Sequence, residues 1–158
     1  YAVHSTILAA AMFLLVDVIA QQRGTVGDRL VQGRQVAQPA LLGGLFMLLA
    51  VAIAGLPPLS GAVAKLWALQ AVNGSAWQSW IWVALLLSSL MVLIAFSRAG
   101  STLFWRVNRL QTTGVIASKR RLASIVLFVA ISPLLVVFGD ALMQFCLMAA
   151  KQLLPAAL

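Results

Sequence analysis

Residues 55–65 read GLPPLSGAVAK, a helix-breaking run that contains two adjacent prolines and ends on Lys65. Lys65 is the only charged residue between Arg34 and Arg98, and the residues around it are mostly apolar. A lone lysine at hydrocarbon depth costs about 2.5–3.5 kcal/mol on insertion scales, so such residues are usually functional. Lysine beside an interrupted helix predicts a path for protons or cations. The alternative is that Lys65 extends its amine to the membrane surface, since its helix is short.

The composition places the chain among integral membrane proteins. Of its 158 residues, 63% are hydrophobic and only 9% are charged, and the mean hydropathy is +1.03. Several apolar runs approach or exceed the ~20 residues that a helix needs to cross the bilayer, and none alternates as barrel strands do. The net charge of +8 comes from basic residues near the ends of these runs, which argues against nucleic-acid binding. We therefore expect an all-α integral membrane fold.

The chain is interpreted as a single membrane domain over residues 1–158, with about five transmembrane helices and a C-terminal amphipathic helix. The helix after the prolines is interrupted at Asn73-Gly74-Ser75, well short of a full span, which predicts a short or discontinuous helix around Lys65. Because the chain enters an apolar helix directly after Tyr1, we expect a fragment that lacks amino-terminal helices. The predicted helices span residues 2–20, 39–54, 58–72, 76–105 and 122–138, and the amphipathic tail spans 140–154.

The loop over residues 106–121 is rich in positive charge and is predicted to be cytoplasmic by the positive-inside rule. Its basic residues are Arg106, Arg109, Lys119, Arg120 and Arg121. Residues 21–38 are interpreted as a solvated connector with room for one short helical turn. Three predicted helical segments separate the connector from the loop, so the connector is expected on the opposite side despite its three arginines.

Three groups of residues together resemble a known family. The first is His4-Ser5-Thr6 followed by FLLVD at 13–17, and the second is the helix break at 55–61 with Lys65. The third is FSRAG at 96–100, followed by FWR at 104–106. Over essentially the whole chain, this pattern resembles the carboxy-terminal part of the D-type subunit of Mrp/Pha-type multisubunit monovalent cation/proton antiporters. The wider family includes the proton-pumping, antiporter-like subunits of respiratory complex I and of membrane hydrogenases.

The resemblance implies the last five helices of a fourteen-helix protein in a bacterial cell (inner) membrane. That protein would work with the other subunits of a hetero-oligomer that exchanges Na+ or K+ for H+. Lys65 would be the protonatable switch that ends a row of buried titratable residues, and His4 would belong to the same row. Complex I relatives carry a second lysine four positions after the histidine, where this chain has Leu8, and the difference favours the antiporter family.

The predicted water path involves the break at Pro57 and Pro58 and the hydroxyls of Ser5, Thr6 and Ser60. Broken helix ends leave backbone groups that hold water or a cation, and hydroxyls can line the route. The polar residues also have simpler structural interpretations. Serine and threonine in membrane helices commonly bond their own backbone, and His4, like Asp17 near the other end of its helix, can serve as a structural partner across helices.

No enzymatic site is expected. The sequence has no Gly-rich phosphate loop, no paired carboxylates, no nucleophile elbow and no metal-ligand spacing, so neither a cofactor nor a metal is predicted. Two other functions stay open from the sequence. One is a proton-pumping membrane subunit of a complex I-like redox complex, whose neighbouring subunits hold the cofactors, and the other is a structural scaffold with a vestigial site.

Overall fold

A computed structural model describes residues 1–112 and 116–153, with the side chains of 107–112 and of Leu153 left out. The Arg109 side chain and Leu154, the predicted end of the amphipathic tail, lie outside the described parts. In chain order, the helices are α1 (Ala2–Arg23), α2 (Pro39–Ala54), α3 (Ser60–Ala71), α4 (Gln78–Gly100), α5 (Lys119–Val137) and α6 (Gly139–Leu153). The predicted boundaries lie within about three residues of these, except that the fourth helix was predicted to end at residue 105, five residues beyond the end of α4.

The all-α membrane fold is confirmed for the described residues. By length and composition, three helical stretches are able to cross a membrane, namely Ala2–Val26, Gln78–Trp105 and Lys119–Val137, and Pro39–Ala54 is a shorter apolar helix. The second of these includes a π-helical segment, Ser101–Trp105, which continues α4. Apolar side chains of α1, α2 and α5 form the core, with Leu8, Leu15, Leu42, Leu49 and Ile125 almost wholly buried.

The helices α2 and α3 together form one interrupted crossing. Gly43 near the start of α2 faces Phe104 in the π-helical segment that continues α4, and the Phe46 ring packs on Phe96 at a centroid distance of 5.7 Å. Near the break, Lys65 of α3 contacts Ser89 in the middle of α4. With a rise of about 1.5 Å per residue, α2 is only about 24 Å long, so α3 completes the distance that α4 covers alone.

This arrangement contradicts the predicted side of the connector. Strand β1 (Gly33–Gln35) pairs in parallel with β2 (Val107–Thr112), so the connector and the basic loop meet on the same side of the molecule. The Ala117 N–H also donates to Gln38 Oε1 at 3.2 Å. The prediction was wrong because it counted α2 and α3 as two crossings, whereas the break makes them halves of one.

The connector is also more ordered than a solvated loop. A short 3-10 turn, Gly24–Val26, follows α1, as the sequence allowed, and β1 was not predicted. Arg23 is only 1% exposed, and its guanidinium donates to the carbonyl oxygens of Gly27, Arg29 and Val31 at 2.9, 2.6 and 2.5 Å. The prediction missed this because a buried arginine that bonds only to backbone carbonyls leaves no pattern of paired charges in the sequence.

Candidate functional site

Lys65 of α3 lies beside the helix break and contacts both the end of α2 and the middle of α4. Its half-buried side chain donates from Nζ to the Ala54 carbonyl oxygen at 2.6 Å and also to Ser89 Oγ. Ala54 is the last residue of α2, where carbonyls lack partners within the helix and carry partial negative charge. Ser89 Oγ donates in turn to the Leu85 carbonyl at 2.7 Å, which leaves its lone pairs for the ammonium. The Lys65 ammonium is therefore bound where the end of α2 carries partial negative charge.

Gly55 makes room for this contact. It has a φ of +76° in the left-handed region, as glycine commonly does just beyond a helix end. A Cβ at this position would lie 2.8–2.9 Å from Lys65 Cδ, Cε and Nζ. The break therefore needs glycine here both for its backbone angle and for the path of the lysine side chain.

A buried polar cluster joins α1, α3 and α5 at the start of α3. His4 Nδ1 and Ser60 Oγ are 2.6 Å apart, and Ser60 Oγ and Ser132 Oγ are 2.8 Å apart. The Ser60 N–H also donates to Ser132 Oγ at 3.3 Å. His4 is 6% exposed, Ser60 5% and Ser132 1%. Because each hydroxyl both donates and accepts, the three side chains form a continuous hydrogen-bonded chain.

The backbone of the break touches both the histidine cluster and the lysine. A Cβ at Gly61 would lie 3.0 Å from His4 Cε1 and 2.8 Å from the Cα of Gly55, the residue that contacts Lys65. In the described part of the chain, no hydrogen bond links His4 directly to Lys65. The interrupted backbone therefore lies between the two groups.

A cavity of about 130 Å3 leads to the cluster from the end of the molecule opposite the strands. Its lining includes His4 and Ser60, the Trp67 ring of α3 and Cys146 of α6. The cavity is large enough for water, and polar side chains such as His4 and Ser60 supply hydrogen-bonding partners. Among the residues that the structure describes, no group of three or more His, Cys, Asp or Glu side chains is placed to hold a metal.

The predicted site residues divide into two groups. The structure brings His4 and Ser60 together and places Lys65 across the break. Ser5 Oγ donates to the Ala2 carbonyl of its own helix at 3.0 Å, and Thr6 is exposed. The roles of all these residues, including the exposed Pro57 and Pro58, remain predictions.

Two functional candidates were missed from the sequence, Ser132 and Ser89. Ser132 directly precedes Pro133, and proline inside a helix removes one backbone hydrogen bond, which is a weak signal for a functional hydroxyl beside it. Ser89 is the second of two adjacent serines in an apolar helix. Hydroxyls are too common in membrane helices for either signal to single out a residue without the structure.

Asp17 has the structural role that the sequence allowed. Its Oδ2 lies 3.7 Å from Arg121 Nη1 of α5, and both side chains are more than half exposed. Such an exposed pair is worth at most about 1 kcal/mol. Asp17 therefore joins two helices and lies outside the polar cluster.

Comparison with known proteins identifies two relatives. The chain is 32% identical to a probable K(+)/H(+) antiporter subunit of type D from Rhizobium meliloti (strain 1021), with 66% of this chain and 25% of that protein covered. It is 31% identical to a Na(+)/H(+) antiporter subunit of type D from Bacillus subtilis (strain 168), with 66% and 21% covered. The chain thus spans about a quarter or less of the length of these curated relatives. No protein-family model and no solved structure matches it. The predicted resemblance to D-type antiporter subunits is confirmed, and the chain is a multi-pass membrane protein.

Proposed function

We propose that this relative of D-type antiporter subunits is an ion-translocating part of a multisubunit antiporter that exchanges Na+ or K+ for protons. Lys65 is the protonatable switch in this proposal, and His4 is a relay residue. The observation that supports it most is the Lys65 ammonium bound to the Ala54 carbonyl at the end of the interrupted α2. Unwound carbonyls and half-helix ends are the groups that bind coupling ions in secondary transporters.

Exchange follows from competition for the same oxygens. While Lys65 is protonated, its ammonium binds the Ala54 carbonyl and Ser89 Oγ. Loss of the proton removes the positive charge, and the partial negative charge of the α2 end then lacks a cation. A monovalent cation that reaches these oxygens satisfies them, and protonation of Lys65 expels it. Proton and cation therefore exclude one another at the break, which is the requirement for exchange.

The histidine cluster provides the proton route on the other side of the break. The chain from His4 through Ser60 to Ser132 is hydrogen-bonded throughout, and His4 also lines the adjoining cavity, which is large enough for water. Histidine is suited to this task because its ordinary pKa lies near physiological pH. Gly61, which lies against His4, belongs to the same backbone segment as Gly55, which lies against Lys65. A protonation change at either group thus acts on the break itself.

The test is Lys65→Ala in the intact complex, with exchange measured in everted membrane vesicles as cation-induced collapse of a pH gradient. We expect exchange to fall to the background level while the complex still assembles. Lys151→Ala, which removes an exposed lysine from α6, is the matched control and should keep normal exchange. Normal exchange by an assembled Lys65→Ala complex would remove Lys65 from the mechanism. Lys65-dependent proton movement that needs neither Na+ nor K+ would favour the proton-pumping alternative.

A further inference from the structure

A second polar cavity lies at the end of α4, away from the helix break. Its volume is about 260 Å3, and its lining consists of two arginines and three hydroxyl side chains: Arg98, Arg106, Ser97, Ser101 and Thr102. Within the described residues, neither guanidinium pairs with a carboxylate. The cavity therefore presents two positive charges to whatever enters it.

The helix geometry brings these side chains together. Residues 97, 98, 101 and 102 have the spacing that places side chains on one face of a helix. Arg106 joins them through the π-helical segment, since its N–H donates to the Ser101 carbonyl, five residues earlier, at 2.9 Å. Single π-helical turns are frequent at functional sites. Thr102 Oγ1 already donates to the Arg98 carbonyl at 3.0 Å, so Ser97 and Ser101 remain as hydroxyl donors.

The position of the cavity indicates what it binds. It lies where α4 ends, on the side of the molecule that holds the two strands. Leu90 and Ile94, two turns and one turn before Arg98 on the same face, are 53% and 51% exposed. Trp105 beside the cavity is 69% exposed, and tryptophan is typical of the headgroup level of membranes. An apolar surface thus leads up the membrane-spanning helix to a pair of arginines at its end.

We propose that this cavity binds the headgroup phosphate of an anionic phospholipid. Guanidinium groups bind phosphate through paired, charge-assisted hydrogen bonds, which suits Arg98 and Arg106. The hydroxyls of Ser97 and Ser101 supply further donors, and an acyl chain lies along Leu90 and Ile94. Basic pockets at the ends of membrane helices are a recurrent form of anionic-lipid site. The lipid, rather than free phosphate, is favoured by the apolar surface that continues from the cavity.

The test is native mass spectrometry of the intact protein purified in detergent and titrated with phosphatidylglycerol, phosphatidylethanolamine or inorganic phosphate. The Arg98→Gln/Arg106→Gln variant should lose about tenfold or more in affinity for phosphatidylglycerol, since each bidentate contact to phosphate contributes strongly. The matched control is Lys119→Gln/Arg120→Gln, which removes two exposed charges from the start of α5 on the same side. The control should keep its affinity within about twofold.

Each other result overturns the proposal. Equal losses in the two double variants would mean that general surface charge attracts the lipid. Equal affinity for phosphatidylethanolamine would show that the cavity does not select an anionic headgroup, and phosphate binding as tight as lipid binding would indicate a free-phosphate site. If the double variant does not purify, Arg106→Gln and Arg106→Lys decide the matter, because lysine keeps the charge and loses the paired geometry. The proposal requires Arg106→Gln to bind the lipid more weakly than Arg106→Lys.

Discussion

Adjacent serines in α4 offer a sharp test of the competition at the helix break. Ser88 and Ser89 both donate from Oγ to the Leu85 carbonyl, at 2.9 and 2.7 Å, and only Ser89 also accepts a hydrogen bond from Lys65. Ser89→Ala therefore removes one of the two oxygens that hold the ammonium. A hydrogen bond to a charged group contributes about 1.5–3 kcal/mol. Because Lys65 is half-buried, water replaces part of this, and about 1.5 kcal/mol is the appropriate figure.

A loss of about 1.5 kcal/mol corresponds to a change of about tenfold in the equilibrium constant for holding Lys65 at the break. We expect Ser89→Ala to lower the exchange rate at subsaturating cation by up to this factor, measured in everted vesicles with the complex quantified on native gels. Ser88→Ala should exchange at the unmodified rate. Equal rates for the two variants, whether both normal or both reduced, would refute the role of the Lys65 to Ser89 contact.

Three further predictions concern stability and topology. Gly61→Ala should lower the unfolding free energy in detergent by about 2 kcal/mol, because its Cβ would press on His4 and on the backbone of the break. Gly44→Ala, which has open space around it, should leave the unfolding free energy unchanged. Equal melting temperatures of the two variants would contradict this prediction. Arg23→Met should lower the unfolding free energy by about 3 kcal/mol and expose the connector to proteolysis, because three hydrogen bonds to its carbonyls are lost. Arg29→Gln, at an exposed position, should have neither effect. A connector that resists proteolysis in the Arg23→Met variant would contradict the structure. A membrane-impermeant maleimide should label the exposed Cys146 from one face of the membrane. In the Arg29→Cys/Cys146→Ser variant, it should label the new cysteine from the other face. Labelling of both cysteines from the same face would disprove the arrangement of crossings.

The fold was largely accessible from the sequence because the bilayer imposes helices on apolar runs. Long uncharged segments, a double proline and glycine-rich connections predict helices with boundaries close to those observed. The parallel pairing of β1 and β2 was not accessible. Strands this short carry no periodic signal, and their partner lies far away in the sequence.

The candidate site was accessible only in part. Lys65 stands out because a charge in hydrocarbon is costly, and His4 because the family resemblance draws attention to it. The partners of these residues are a backbone carbonyl at Ala54 and hydroxyls at Ser89, Ser60 and Ser132. Neither kind of group is distinctive in a sequence, because every residue has a carbonyl and membrane helices contain many serines. The chemistry of the site therefore emerges only when the helices are packed.

The interrupted crossing also resolves a conflict within the sequence. When α2 and α3 are counted separately, the three arginines of the connector lie opposite the basic loop, against the positive-inside rule. When the two are halves of one crossing, both basic segments lie on one side, as the β1 to β2 pairing and the contact of Arg121 with Asp17 require. The positive-inside rule predicts that this side is cytoplasmic. The break that positions Lys65 thus also places the connector and the basic loop on one side. If α2 crossed the membrane by itself, another crossing would be needed before α4 for the end of α4 to return to the side of the connector.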